Sequence, residues 1–142
     1  YVNIENIRFN NEIVFTTKLQ ENLNLDTIKI PALILQPFLE NAIWHGLSPK
    51  KLLKKLTLSI LKPNNNFIHI IIEDNGVGRN ASTKIKNKKL HKKDSVGIKL
   101  TEERLRNFTK DYCNDFEINF IDLFYDDKSV KGTQINLKLP LK

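Results

Sequence analysis

The stretch QPFLENAIWHG, residues 36–46, is the one whose reading decides this fold. Phe38, Leu39, Ala42 and Ile43, with Leu33, Ile34 and Leu35 just ahead of them, predict a helix that is largely buried. Polar side chains interrupt it. Residues four apart on a helix share a face, so Gln36 pairs with Glu40 and Asn41 with His45. A carboxylate and an amide in so apolar a setting need partners, either neighbouring strands that they brace or a ligand. Downstream, EDNGVG at residues 73–78 puts an acid at a strand end and two glycines in the turn after it. A short carboxylate there can accept from an amino group in a charge-assisted hydrogen bond worth roughly 1.5–3 kcal/mol. Gly76 and Gly78 would let a ligand approach the backbone. Taken alone, the same residues are an ordinary Asn-Gly turn.

Working outward, Pro31 is placed to open the helix, because its missing N–H costs nothing at the first helical position. The helix is expected to run to Trp44 or His45, with Gly46 as its stop and Pro37 as a bend. Upstream, residues 1–9 read as the tail of a helix and residues 12–19 as a strand. Downstream, residues 55–62 alternate polar and apolar, and residues 67–73 form their hairpin partner across the turn at 63–66. Residues 75–94 have no periodicity and read as a long loop. Apolar positions at helical spacing predict a helix from Ser95 to Lys110, and residues 115–125 and 133–139 read as two more strands. This order predicts an α+β fold, a mixed and mainly antiparallel sheet with helices on one face.

Size and composition narrow the classes. A chain of 142 residues makes one domain and buries roughly 70% of its unfolded surface. No apolar run approaches the ~20 residues of a membrane helix, and no signal-peptide pattern opens the chain. The sequence starts at Tyr1 and contains no methionine, so we expect a fragment of a longer protein. The net charge is +7, and KIKNKKLHKK at 84–93 holds much of the excess. A solvated loop is the simplest reading of such a block. Nucleic-acid recognition would need aromatics among the basic residues, and this block has none, so no nucleic-acid partner is expected. Cys113 is the single cysteine; it cannot pair within the chain, which suits a reducing compartment. The scattered histidines do not make a zinc site.

Two further pieces carry possible chemistry. Ser95-Val96-Gly97-Ile98 opens a predicted helix, whose N-terminal N–H groups attract phosphate, although an N-capping serine has the same look. Lys131-Gly132-Thr133 enters the last strand and is otherwise a plain hairpin turn.

Each piece is modest, but their order and spacing together resemble the ATP-binding domain of the GHKL superfamily, the Bergerat fold of sensor histidine kinases and gyrase-type ATPases. Within it the chain is most similar to the LytS-type sensor histidine kinases. IPALILQPFLENAIWHG, residues 30–46, is close to that family's asparagine box. Asp74, Gly76 and Gly78 meet its Asp-x-Gly-x-Gly box. Gly97 with Glu103-Arg104-Leu105 meets its glycine box and the helix behind it, and Gly132-Thr133 meets the Gly-Thr before the last strand. Arg8-Phe9 is similar to the family's junction after the dimerisation helices. Ser95 stands where many relatives carry a first glycine, and Trp44 where a basic residue is common.

The resemblance implies a two-layer α/β sandwich with an ATP lid, residues 1–10 being the tail of a dimerisation or phosphoacceptor helix and residues 11–142 the ATP-binding domain. It implies ATP and Mg2+ as cofactors. Asn41 would ligand the magnesium and Asp74 would bond the adenine amino group, with Thr133 near it. Gly76 and Gly78 would pass the base. His45, Ser95, Gly97, Ile98 and Gly132 complete the implied binding set, and Glu40 would be the catalytic base. Residues 80–94 would be the lid. The family's phosphorylated histidine precedes a Phe, and none of His45, His69 or His91 does. We therefore expect a chain that binds ATP but does not phosphorylate itself. The implied whole protein is a homodimeric transferase that passes phosphate to a response regulator, with membrane or sensor segments N-terminal to this chain and the present domain cytoplasmic, at an inner membrane. An ATPase or an anti-sigma-type serine kinase on the same fold is the alternative.

Overall fold

The computed structural model describes residues 1–81 and 94–141. Five strands, β1 (Ile13–Leu19), β2 (Lys54–Leu61), β3 (Phe67–Asp74), β4 (Glu117–Phe124) and β5 (Val130–Pro140), form one sheet in the order β1-β2-β3-β5-β4. β1 runs parallel to β2, and the other neighbours are antiparallel. The architecture is the expected mixed, mainly antiparallel sheet. The last strand in sequence lies between β3 and β4, so it carries ladders on both sides.

Period-two patterning decides which face is covered. Ile68, Ile70, Ile72 and Asp74 of β3 are buried on one face, beside Thr133, Ile135, Leu137 and Leu139 of β5. Helical segments accompany the sheet, among them α1 (Val2–Arg8), α2 (Gln36–Glu40), a π-helix (Asn41–Leu47) and α3 (Asp94–Thr109). Phe38, Ile43, Leu47 and Leu105 from these segments join the buried strand residues in one core. The entry into the sheet is held by Asn6, whose side-chain amide donates to the Ile13 carbonyl and accepts from its N–H, both at 2.9 Å. Asn10 and Asn11 take the left-handed turn between α1 and β1, which asparagine tolerates better than most residues.

The helix of residues 36–46 departs from expectation at both ends. It does not begin at Pro31. Residues 31–35 are irregular, with Leu33 at φ 60°. The first helical residue is Gln36, and Pro37 falls in the first turn. The N–H that proline lacks is without an intrahelical partner there, so Pro37 starts the helix instead of bending it. Nor does Gly46 stop the helix. From Asn41 the chain widens into π winding that continues to Leu47, and the Ser48 N–H reaches back five residues to the Ile43 carbonyl at 2.7 Å. Short π segments concentrate at functional sites.

Residues 79–81 start a helical turn where a loop was expected. Most of the expected lid, with its lysine cluster and His91, lies outside the described residues. Among the described residues, no helix is long and apolar enough to cross a membrane.

Candidate functional site

Asp74 is the last residue of β3 and points to the covered face, only 4% exposed. The register sets it between Leu56 of β2 and Thr133 of β5. Its Oδ1 accepts from the Gly76 N–H at 2.8 Å, and the Thr133 backbone N–H also donates to the carboxylate. Burial dominates nonetheless. It pushes the carboxyl pKa up to about 6, against the two backbone hydrogen bonds and the attraction of Lys50. A charge that is expensive to bury and incompletely compensated is a signature of a functional group.

The backbone around Asp74 is packed to contact. A β-carbon placed on Gly76 would stand 2.2 Å from the Gly46 carbonyl oxygen, and one placed on Gly46 would stand 2.8 Å from Asp74 Oδ1. The Gly46 carbonyl accepts from the Val77 N–H at 3.0 Å. The end of the π-helix and the turn after β3 therefore meet through bare backbone. On the other side Gly132 has φ +153°, and a β-carbon there would fall 1.8 Å from the Asp74 carbonyl oxygen. Only glycine fits.

Asn75 is the clamp that holds this turn. Its side chain donates to the Leu53 carbonyl at 3.0 Å and accepts from the Lys55 N–H at 2.8 Å. Lys50 Nζ donates to the Asn75 carbonyl at 2.5 Å. Sequence reading passed over Gly46, Lys50 and Asn75 as site-builders. Gly46 and Asn75 lie inside the quoted motifs, but the long-range partners that give them their roles leave no local signal.

Glu40, Asn41 and His45 follow one another along the helix, each half-buried. Glu40 accepts from the Gln36 amide at 2.8 Å, the expected pairing four residues apart. Among the described residues, no group hydrogen-bonds to the Asn41 side-chain amide, which leaves its oxygen available to a ligand. Trp44 is 41% exposed and its ring lies 5.3 Å from that of Phe9. Tyr1 joins this corner by a hydrogen bond with Trp44, and burial, with the Glu40 and Glu5 carboxylates, pushes the phenol up to about 12. The residues flanking α1 thus meet the π-helix at Trp44.

Ser95, Gly97 and Ile98 stand in the first turns of α3. Gly97 is brought against Pro37: among the described residues a β-carbon on it would meet only Pro37 Cβ, at an ordinary 3.7 Å. Thr101, buried at 2% exposure, donates from its hydroxyl to the Gly97 carbonyl at 2.9 Å. The segment of residues 36–47 therefore touches the α3 start at one end, through Pro37, and the Asp74 cluster at the other, through Gly46. These contacts are roughly 12 Å apart along the helix, with Asn41 between them. Asp74, Gly76, Gly132 and Thr133 form one tight cluster, Gly78 follows in the same turn, and Ser95, Gly97 and Ile98 flank the far end. Among the described residues no three His, Cys, Asp or Glu side chains cluster closely enough to hold a metal ion by themselves.

No family model matches the chain. Among curated proteins it is 33% identical over 108 residues to the uncharacterised Bacillus subtilis protein YwpD, covering 76% of this chain and 38% of that one. It is 35% identical over 82 residues to the sensor protein kinase HptS of Staphylococcus aureus, covering 58% of this chain and 15% of that one. The chain thus spans well under half the length of these relatives. Among solved structures, the histidine kinase domain of the Erythrobacter litoralis EL346 blue-light activated histidine kinase matches with a TM-score of 0.63 at 18% identity, over 99% of this chain and 57% of that one. Five strands in mixed order, the helices on one face and these matches together give the chain the fold of a histidine kinase catalytic domain.

Proposed function

We propose that this chain is the ATP-binding catalytic domain of a LytS-type sensor histidine kinase, which transfers the ATP γ-phosphate to a histidine outside these 142 residues. The observation that carries the reading is Asp74. It is a buried carboxylate with a raised pKa, fixed beside Thr133 by a turn with no spare volume, in a fold shared with histidine kinase domains.

On this reading Asp74 accepts from the adenine amino group and Thr133 lies beside it. Gly46, Gly76, Gly78 and Gly132 keep side chains out of the base's path. The fit of the metal side rests on the Asn41 amide, which no described group occupies. A single amide oxygen suits Mg2+, which keeps waters and phosphate oxygens as most of its ligands. When bound, the ion neutralises phosphate charge. Ser95, Gly97 and Ile98 present the N-terminal backbone of α3 to phosphate, His45 lines the same helix as Asn41, and Glu40 is placed to act as a general base. Residues 1–10, with Tyr1 and Phe9 against Trp44, belong to the end of a preceding helix. We extend the proposal to the whole protein as a homodimer that passes phosphate to a response regulator and whose N-terminal segments attach it to a membrane. The similarity to HptS, a sensor protein kinase, supports this.

Calorimetric titration with a non-hydrolysable ATP analogue, with and without Mg2+, tests the site. Asp74→Asn is expected to weaken binding with or without metal, whereas Asn41→Ala removes mainly the Mg2+ dependence. Equal binding by the parent chain and both variants would remove the site. Steady hydrolysis of ATP by this chain would instead point to the ATPase or serine kinase alternative. Stable acid-labile label from ATP on the chain itself would refute the statement that the acceptor histidine lies elsewhere.

A further inference from the structure

Asp74, Thr133 and Asp122 lie on one cross-strand row, because Thr133 of β5 pairs with Asp74 on one side and with Asp122 of β4 on the other. Asp74 and Thr133 belong to the site. Asp122 does not, yet it is engaged from the turn that leaves Asp74. Arg79 Nε donates to Asp122 Oδ1 at 2.8 Å and Arg79 Nη2 to Oδ2 at 2.7 Å. The guanidinium also lies over the Phe120 ring, 5.9 Å from its centre. The hydrogen bonds hold the Asp122 carboxyl below its ordinary range. This is the bidentate fork that arginine forms and lysine cannot.

The path between the two acids explains what the pair does. From β3 the chain is tied to β2 by Asn75, to the π-helix by the Val77 N–H, and then passes over β5. There a β-carbon on Gly78 would stand 2.7 Å from Val130 Cγ1. Arg79 then ties it to β4. The glycine turn is therefore tied to β2, to the π-helix and to β4, and its last tie is a charged pair whose acid, Asp122, lies on the same row as Asp74.

We infer that Arg79 and Asp122 are positioning residues for the nucleotide site: their bidentate pair fastens the far end of the Gly76–Gly78 turn to β4 and so holds it in the shape that receives the base. The inference rests on the ATP reading above, and its test separates the two. Arg79 and Asp122 are partly exposed, so the pair contributes little to global stability. Asp122→Asn should leave the denaturant midpoint nearly unchanged. It should speed amide hydrogen exchange at residues 75–79 several-fold without nucleotide, and weaken binding of the ATP analogue about threefold to tenfold. Asp122→Glu, which keeps the charge, should recover most of the affinity. Arg79→Lys, which keeps charge but loses the fork, should fall between. Unchanged exchange at residues 75–79 in Asp122→Asn overturns the fastening whatever the nucleotide does. Faster exchange with unchanged affinity overturns the positioning role. A parent chain that binds no nucleotide sinks the ATP reading, and this role with it, even if the exchange result shows the fastening to be real.

Discussion

At Gly46 the segment of residues 36–47 meets the sheet with no spare volume, and at Pro37 it meets α3 with room to spare among the described residues. At the first end, β-carbons on Gly46, Gly76 and Gly132 would each fall within 3 Å of an oxygen of Asp74 or Gly46. At the second, among the described residues, a β-carbon on Gly97 meets one carbon at contact distance, and between the two ends the Asn41 amide has no protein partner. The glycines of the tight end explain themselves by packing. Among the described residues no packing contact accounts for Gly97, and we propose that its backbone faces the bound phosphates. On the proposed reading, the tight end recognises a planar base through fixed groups, and the open end admits phosphates and a metal, whose positions change on reaction. A site that must both specify and turn over needs both kinds of wall.

The largest effect should come from filling the tight end. Gly132→Ala sets a β-carbon 1.8 Å from a backbone oxygen at a φ of +153°. Overpacking and backbone strain together should cost about 3 kcal/mol or more. Urea unfolding measures it. A loss under 1 kcal/mol would mean that β3 and β5 can part at this point, and the contrast between the two ends would dissolve.

Next in size is Asp74→Asn, which separates what the fold wants from what the site wants. The native carboxyl titrates at about 6 instead of 3.8, so the folded chain holds its proton more tightly than the unfolded chain. Stability is therefore lost as pH rises from about 4 to about 6, by roughly 3 kcal/mol when fully ionised. The asparagine keeps an acceptor for the Gly76 N–H but carries no charge. It should be more stable than the parent at pH 8 by about 1–3 kcal/mol, should lack the slope between pH 4 and 6, and should bind the ATP analogue poorly. A variant less stable at pH 8 would show that the carboxylate serves the fold, and the case for a retained functional charge would lapse.

The tight end is also where sequence reading was least complete. Residues 55–62 and 67–73 announced themselves as strands because one face is buried and the side chains alternate. α3 did so by its helical spacing. Asp74 stood out as an acid on an apolar strand. Its neighbours did not, because they come from β5 and the π-helix, and the insertion of β5 between β3 and β4 leaves no mark in local patterning. The π winding was illegible for the same reason: it lets the Gly46 backbone meet Asp74 and Gly76, which are remote in sequence. The misplaced helix start at Pro31 was a choice between two prolines that local rules rank equally. Burial of Ile34 in the irregular stretch, with Pro37 in the first turn, settles it.

The smallest effect is expected at the open end, and its sign is what matters. Gly97→Ala adds a β-carbon where the described residues leave space, in a helix where alanine is favoured over glycine by up to about 1 kcal/mol. The Thr101 hydroxyl keeps its bond to the residue 97 carbonyl. The variant should be as stable as the parent or slightly more so, by about 0.5 kcal/mol. If Gly97 is a glycine because phosphates approach its backbone, affinity for the ATP analogue should drop about tenfold while affinity for adenosine, which has no phosphates, stays put. A destabilised variant would return Gly97 to the packed class and erase the difference between the two ends. Equal losses for both ligands would move Gly97 away from the phosphates. A stable variant that discriminates the two ligands is the one result that packing at Gly97 cannot produce.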